Sequence, residues 1–262
     1  MSKGVGASLS RCALVAALIL GACLACERAQ ADQREDFLAG RTRECRRCDL
    51  AGLNFKRRDL SGADLAGANL REANLHDAKL TGAQLAGADL TGANLNKANL
   101  SRAELGGAVL RDAMLYAANL DGAKLASADL TDARIGVARL ARSDLSKAKL
   151  RNADLRRARL PEAILTGADL AAAALDLAFL RGAQLDGASL REARLMGAEA
   201  VDASFVGADL SDANALGANL RGADLSRALL AGTNFRRANM YGTKLDDAVL
   251  RETVMPDGTI RP

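Results

Sequence analysis

From Leu50 to Met255 an apolar residue returns at every fifth position, 42 times, with no insertion or deletion to break the frame. Leucine holds most of these centres. Phe55, Ile135, Phe205, Phe235, Met240 and Met255 substitute for it, and only Ala200 and Ala215 leave the pattern. In nearly every unit alanine stands two residues before the centre, with Ser143, Thr233, Thr243 and Thr253 as small replacements and Leu53 and Arg58 as larger departures in the first units. A period of five matches neither the 3.6 residues of an amphipathic helix nor the 2.0 of a half-buried strand. In an extended segment residues two apart share a face, so the alanine and the leucine of one unit point the same way. Five is odd, however, and a straight strand would throw successive leucines to opposite faces. Keeping them all inside requires one turn per unit. The remaining positions suit turns: Asp or Asn often precedes the leucine, and Gly often follows two residues after it, as at Gly62, Gly67 and Gly82. A chain that bends in one sense at fixed intervals closes into a coil, and coils stack at the strand spacing of about 4.8 Å. The expectation is a solenoid whose inner ladder includes Leu50, Leu70, Leu90, Leu110, Leu130 and Leu150.

Composition narrows the core further. Trp is absent and aromatic residues make up 3% of the chain, so burial has to come from leucine and alanine. Units such as ADLAG, ANLRE, ADLTG and ANLNK resemble the A(D/N)LXX signature of pentapeptide repeat proteins, and the resemblance covers residues 48–255. It implies an all-β fold, a right-handed quadrilateral parallel β-helix with four units to a coil. That makes about ten coils and a rod on the order of 50 Å long. A solenoid leaves backbone unpaired at both ends unless something covers it. Residues 32–47, charged and weakly helical around Phe37 and Leu38, read as the N-terminal cap. Residues 256–262, with Pro256, a Pro-Asp-Gly turn and Pro262, read as the C-terminal cap, in which proline stops the pairing and little chain remains for a dimerising helix.

Residues 1–31 have a different character. Lys3 and Arg11 precede the apolar run from Cys12 to Ala25, and Ala29-Gln30-Ala31 supplies a small-x-small ending. The run has signal-peptide length and falls short of the ~20 residues a spanning helix needs. The expectation is a signal peptide cleaved before Asp32, export to the periplasm or cell envelope, and no membrane span in the mature chain. A second reading takes Leu20 to Cys23 as a lipobox, with Cys23 lipidated and retained. Losing Lys3, Arg11 and Arg28 together with Glu27 takes the formal charge from +4 to +2, not the balance of a dedicated nucleic-acid binder.

Three of the five cysteines also fall in this segment, which leaves Cys45 and Cys48. Their CxxC could serve redox exchange, half a zinc site or a staple in the cap. A βαβ context is missing and His76 is the only histidine, so four metal ligands are hard to find. Both cysteines stand in the inward phase, one at a centre and one at an alanine position, which favours a structural disulfide in an oxidising compartment. No Ser-His-Asp arrangement, P-loop or dinucleotide fingerprint is present, and the carboxylates are spread along the units rather than gathered. A filled leucine core leaves no cleft. Neither enzymatic activity nor a cofactor is expected.

If the sides repeat every twenty residues, their outward positions differ in sign. The side of Leu75, Leu95 and Leu115 carries Lys56, Arg57, Lys97, Arg134, Arg156, Arg157, Arg194, Arg236 and Arg237 against Asp77, Asp154, Asp176 and Asp257, and is basic. It is a candidate surface for an acidic partner, envelope lipid or anionic polymer. Exposed arginines more often serve solvation and cross-coil pairing, and no aromatic residues interleave with them as stacking on nucleic acid requires. The side of Leu50, Leu70 and Leu90 sets Asp49, Asp89, Asp129, Asp169 and Asp209 before its centres, with Arg71, Arg111, Arg151 and Arg191 in alternate coils, and is acidic in net sign. The side of Leu65, Leu85 and Leu105 shows Ala66, Gly67, Ala86, Gly87, Gly106, Gly107 and Ala126, a smooth surface through which a homodimer could form.

These features read as a non-enzymatic exported scaffold that offers flat faces to another protein or an envelope component, with no specific nucleic-acid binding. The alternative comes from the resemblance: some pentapeptide repeat proteins mimic duplex DNA in shape and negative charge and bind DNA gyrase. A nearly neutral mature chain, an export signal and a frame without projecting loops weigh against it. A thiol oxidoreductase using Cys45 and Cys48 has the least support.

Overall fold

The computed structural model describes residues 32–262; the expected signal peptide and its lipobox cysteine, Cys23, lie outside the described residues. Each five-residue unit contributes one bridging residue, just before its centre. That residue pairs in parallel with the one twenty further on, from Glu44↔Asp64 to Asn234↔Val254. Twenty residues are four units, so every coil has four sides and the stack is a parallel β-helix. Pairing begins at Glu44, four residues ahead of the expected first unit at 48. The sides are too short for ordinary strands, because two turn residues follow nearly every centre.

The unit Asp64–Ala68 shows why this sequence takes this path, since all five of its amides are satisfied. Asp64 N–H donates to Arg43 O in the coil before at 2.9 Å, and Leu65 and Gly67 N–H donate to Gln84 O and Ala86 O in the coil after at 2.8 and 2.9 Å. Ala68 N–H reaches back across the turn to Leu65 O at 3.0 Å. The fifth, Ala66 N–H, donates instead to the side chain of Asp64, at 3.2 Å from Oδ1. An Asp or Asn before the centre thus closes the one amide that coil stacking leaves open. The second residue after the centre takes a left-handed φ, 66° at Gly67 and 56° at Asn152, which is why glycine recurs there.

Both inward positions are sealed, and the ladder from Leu50 to Leu150 is buried. Cys45 and Cys48 occupy the same two positions in the first coil, buried and joined as a disulfide with their Cα atoms 5.3 Å apart. Where Ala200 and Ala215 thin the ladder, Phe205 stands in the same coil and Phe235 follows Ala215 on the next. Both rings are fully buried, so bulk lost at two centres is returned at others. Thr233, Thr243 and Thr253 fit at alanine positions because their hydroxyls donate to the carbonyls of Leu210, Leu220 and Leu230 at 2.7, 2.8 and 2.7 Å.

Residues 32–38 form a short helix ahead of the first coil. Its Phe37 is buried and meets Phe55 edge to face, with ring centroids 6.2 Å apart. The Arg58 guanidinium lies over both rings at 5.5 and 5.6 Å and donates to the carbonyls of Phe37 and Leu38 at 2.7 and 2.9 Å. Arg58 departs from alanine because no coil precedes it, so a long side chain there can leave the core and hold the cap. Replacing Arg58 with Ala is expected to cost about 2 kcal/mol and to release the helix, read as a lower Tm and early proteolysis before residue 44. Unchanged cleavage in that segment would show that Phe37 alone secures it.

The far end departs from expectation, because pairing does not stop at Pro256. Thr253–Val254 (β1) continues the stack through Val254↔Asn234 and then receives Ile260–Arg261 (β2) antiparallel, with Thr253 opposite Arg261 and Val254 opposite Ile260. Pro256 sits in the connecting turn, where it needs no N–H, and its carbonyl still accepts from Arg237 N–H at 2.9 Å. Met240, Leu245 and Leu250 on the last coil stay partly exposed. Among the described residues no helix is long and apolar enough to cross a membrane.

Candidate functional site

The repeat spends its inward positions on the core, so what distinguishes one coil from another points outward: the residue before each centre and the two after it. On the acidic side the charges largely pair. Arg71, Arg151 and Arg191 reach Asp89, Asp169 and Asp209 in the next coil at 3.1, 3.3 and 3.2 Å. Burial works against the charged form of Asp89, Asp129 and Asp209. Hydrogen bonds from the hydroxyls and amides of Thr91, Thr131 and Ser211, with the neighbouring cations, outweigh it and hold these carboxyls below their ordinary range. A carboxyl lowered in the fold contributes its full stability above the unfolded value of ~3.9 and withdraws it as pH falls through the lowered one. Thermal stability should therefore drop below about pH 4. Exchange of all three aspartates for asparagine, which keeps the turn acceptor, should flatten that drop; equal acid sensitivity in the variant would place the loss elsewhere.

The small residues from Ala66 to Ala126 share one side, following the bridges Asp64↔Gln84, Gln84↔Glu104 and Glu104↔Lys124. Nine cations were expected to make up the basic side, and they do not form one strip. Lys56 and Arg57 lie on the first coil, where Arg57 faces Asp77 at 3.4 Å. Arg236 and Arg237 lie near the other end, and Lys97 lies beside Asn96 at the edge of the central group. The central four come together: Arg134, Arg156, Arg157 and Arg194 line a groove of about 660 Å³ with Asp154 and Asp176. Arg156 pairs with Asp154 at 2.6 Å and Arg194 pairs with Asp176. Arg134 and Arg157 have no ion-pair partner among the described residues. The Arg156 guanidinium, hydrogen-bonded to Asp154, is the main reason that carboxyl lies below the usual range, burial opposing it.

The groove corrects two expectations. A filled core leaves no cleft within the coil, yet a cleft exists on its surface. An aromatic residue does interleave with the arginines, for Tyr116 lines the groove and is 53% exposed. Its ring lies over Gly136, where an added Cβ would sit 3.5 Å from Tyr116 Cδ2. Further along, Leu177 lies over Gly197, where a Cβ would come within 2.9 Å of Leu177 Cδ2. Sorting by charge missed Tyr116, Met114, Val137, Leu177 and Met196, all part of the lining. Their signal was available in the sequence as apolar residues at outward positions that elsewhere carry polar turn formers.

The disulfide of Cys45 and Cys48 lies in the core of the first coil, apart from this groove. His76 is half-buried on the basic side. Among the described residues no group of three or more His, Cys, Asp or Glu side chains could hold a metal ion.

A family profile described as pentapeptide repeats matches residues 59–96, 93–132, 138–173, 163–199, 178–214 and 217–251. Among solved structures, HetL, a pentapeptide repeat protein involved in heterocyst differentiation regulation in the cyanobacterium Nostoc sp., is 37% identical over 87% of this chain and 97% of its own, with a TM-score of 0.65. A pentapeptide repeat protein of the Arabidopsis thaliana thylakoid lumen is 35% identical over 37% of this chain and 65% of its own, with a TM-score of 0.34. QnrB1, a plasmid-mediated fluoroquinolone resistance protein, is 22% identical over 75% of this chain and 88% of its own, with a TM-score of 0.37. No curated protein matches the chain significantly.

Proposed function

The chain belongs to the pentapeptide repeat family, and from that premise we propose that it is a non-enzymatic exported scaffold, a right-handed rod of about ten coils that engages a partner protein along its basic side. The observation that carries this reading is the groove. In a fold whose interior is spent on leucine and alanine, function falls to the surface. This side joins exposed apolar side chains to Arg134 and Arg157, which have no carboxylate partner among the described residues. Tyr, Met and Arg are the residue types that protein interfaces concentrate. Export rests on residues 1–31, with their basic start, apolar run and small-x-small ending. The paired aspartates of the acidic side are unlike the unrelieved negative surface that a duplex mimic needs.

Photo-crosslinking in the native cell tests the partner surface. A photoreactive residue at Lys97 or Arg236, on the basic side but outside the groove lining, should give protein adducts, and one at Ala86 on the small-residue side should not. Absence of adducts from the basic side would overturn the reading. Intact mass and cell fractionation of the same protein check export, with a mature chain that begins at Asp32 as the expected product.

A further inference from the structure

We propose that the central groove of the basic side is a docking site for an extended acidic peptide segment of a partner protein. The proposal rests on the reading of that side as the partner surface and adds the chemistry of what binds there.

Shape comes first. From Asn96 to Met196 the lining crosses six coils, about 24 Å at the strand spacing, a length that an extended chain covers in about seven residues. The coil backbones beneath are already bridged to the coils on both sides, so no strand can be added. Recognition is left to side chains and to amides that stacking leaves open.

Backbone strain marks the same place. The left-handed position is held throughout by glycine, alanine or polar residues, with two exceptions among the described residues: Val137 at φ 59° and Leu177 at φ 57°. This region disfavours bulky and especially β-branched side chains, and both are substantially exposed, at 40% and 46%. Each therefore costs backbone strain and exposes apolar surface in the free protein. Both line the groove, and Val137 is the one β-branched residue among the described left-handed positions, which run the length of the coil, so the apolar exposure and the strain at Val137 are reason to look for a ligand there.

Open donors and charge identify the occupant. Among buried residues that directly follow a centre, Ala171 and Ser211 have amides held by Asp169 and Asp209 at 3.1 and 3.0 Å. Gly136 and Asp176, residues at the equivalent position in the groove, have amides with no acceptor among the described residues. Four guanidinium groups face two carboxylates across the lining, an excess of two positive charges. An extended acidic peptide answers each feature: its carboxylates meet Arg134 and Arg157, its carbonyls meet the open amides, and its apolar side chains cover Tyr116, Val137 and Leu177. A nucleic acid would use the arginines and leave Val137 and Leu177 uncovered.

Fluorescence anisotropy of the mature chain with a labelled, capped heptapeptide, Glu-Leu-Glu-Ser-Glu-Leu-Glu, tests this. Saturable binding is expected, weakened at least tenfold by Arg134→Ala with Arg157→Ala and likewise by Val137→Asn with Leu177→Asn. Asn152 holds the same left-handed position, so the second pair should fold with a Tm no lower than the parent. A peptide with serine for leucine, and a single-stranded oligonucleotide of equal charge, should each bind at least tenfold more weakly. Equal binding by either would make the groove a general polyanion surface and overturn the proposal. So would probe binding that neither pair of substitutions weakens, or no probe binding at all. Crosslinks from Lys97 or Arg236 beside failed peptide binding would sink the peptide alone; peptide binding without crosslinks would sink the cellular reading alone.

Discussion

Replacing Phe205 with alanine is expected to destabilise the rod by about 3–5 kcal/mol, more than other single core exchanges in this chain. Phe205 is fully buried in a coil whose other centres are Ala200, Leu210 and Ala215. After the exchange Leu210 alone would fill that layer. The layer cannot collapse to close the gap, because its backbone is tied at strand spacing to the coils on both sides. Each coil of a solenoid touches only its neighbours, so the damage should stay local. Denaturant unfolding should separate into two transitions, with protease cutting between residues 200 and 215. One transition at an unchanged midpoint would show that Phe235 and its neighbours repack into the space. Phe205→Leu combined with Ala200→Leu, which conserves the number of side-chain carbons, should recover most of the loss.

Deleting the unit Ala141–Leu145 should leave the fold standing and abolish the groove. Every later centre keeps its inward phase, so circular dichroism and Tm should change little. Arg156, Arg157, Leu177 and Arg194, however, would move to the adjoining side while Tyr116, Arg134 and Val137 stay where they are. Binding of the acidic heptapeptide should fall at least tenfold, the scale set by losing half of a hot-spot cluster. Deleting Ser143 alone should be far worse, because a slip of one residue puts outward side chains into the core of every later unit. A soluble, cooperatively folded chain lacking only Ser143 would show that the period of five is not what specifies the coil.

Much of this architecture could be read directly from the chain, because the period that builds the core is itself a pattern of residue types. The turn-forming character of the Asp or Asn before each centre was equally plain. Its particular task, holding the amide that stacking leaves open as Asp64 does for Ala66, emerges only once coils are stacked. Arg58 stood out as an irregularity, and its reason lies in Phe37, twenty-one residues earlier. Pro256 was read as a terminator, whereas a proline in a turn lets the chain return as β2. The groove was hidden for a different reason. Its arginines stand out by sign, whereas Tyr116, Gly136 and Val137 carry no charge, and Tyr116 meets the other two only through the twenty-residue register. Nor does sign alone separate Arg156 and Arg194, which are paired, from Arg134 and Arg157, which have no ion-pair partner among the described residues.

Because pairing links residues twenty apart throughout, replication slippage in the gene has two kinds of outcome that folding alone cannot tell apart. Gain or loss of any whole number of units leaves a sound interior and a stable product. Only events of four units, or multiples of four, keep what lies upstream in line with what lies downstream. Within the span that assembles the groove, slippage by one unit is silent for folding and ruinous for binding. Selection on that span therefore acts on phase, and a relative with an unaltered composition of units could still have lost the site.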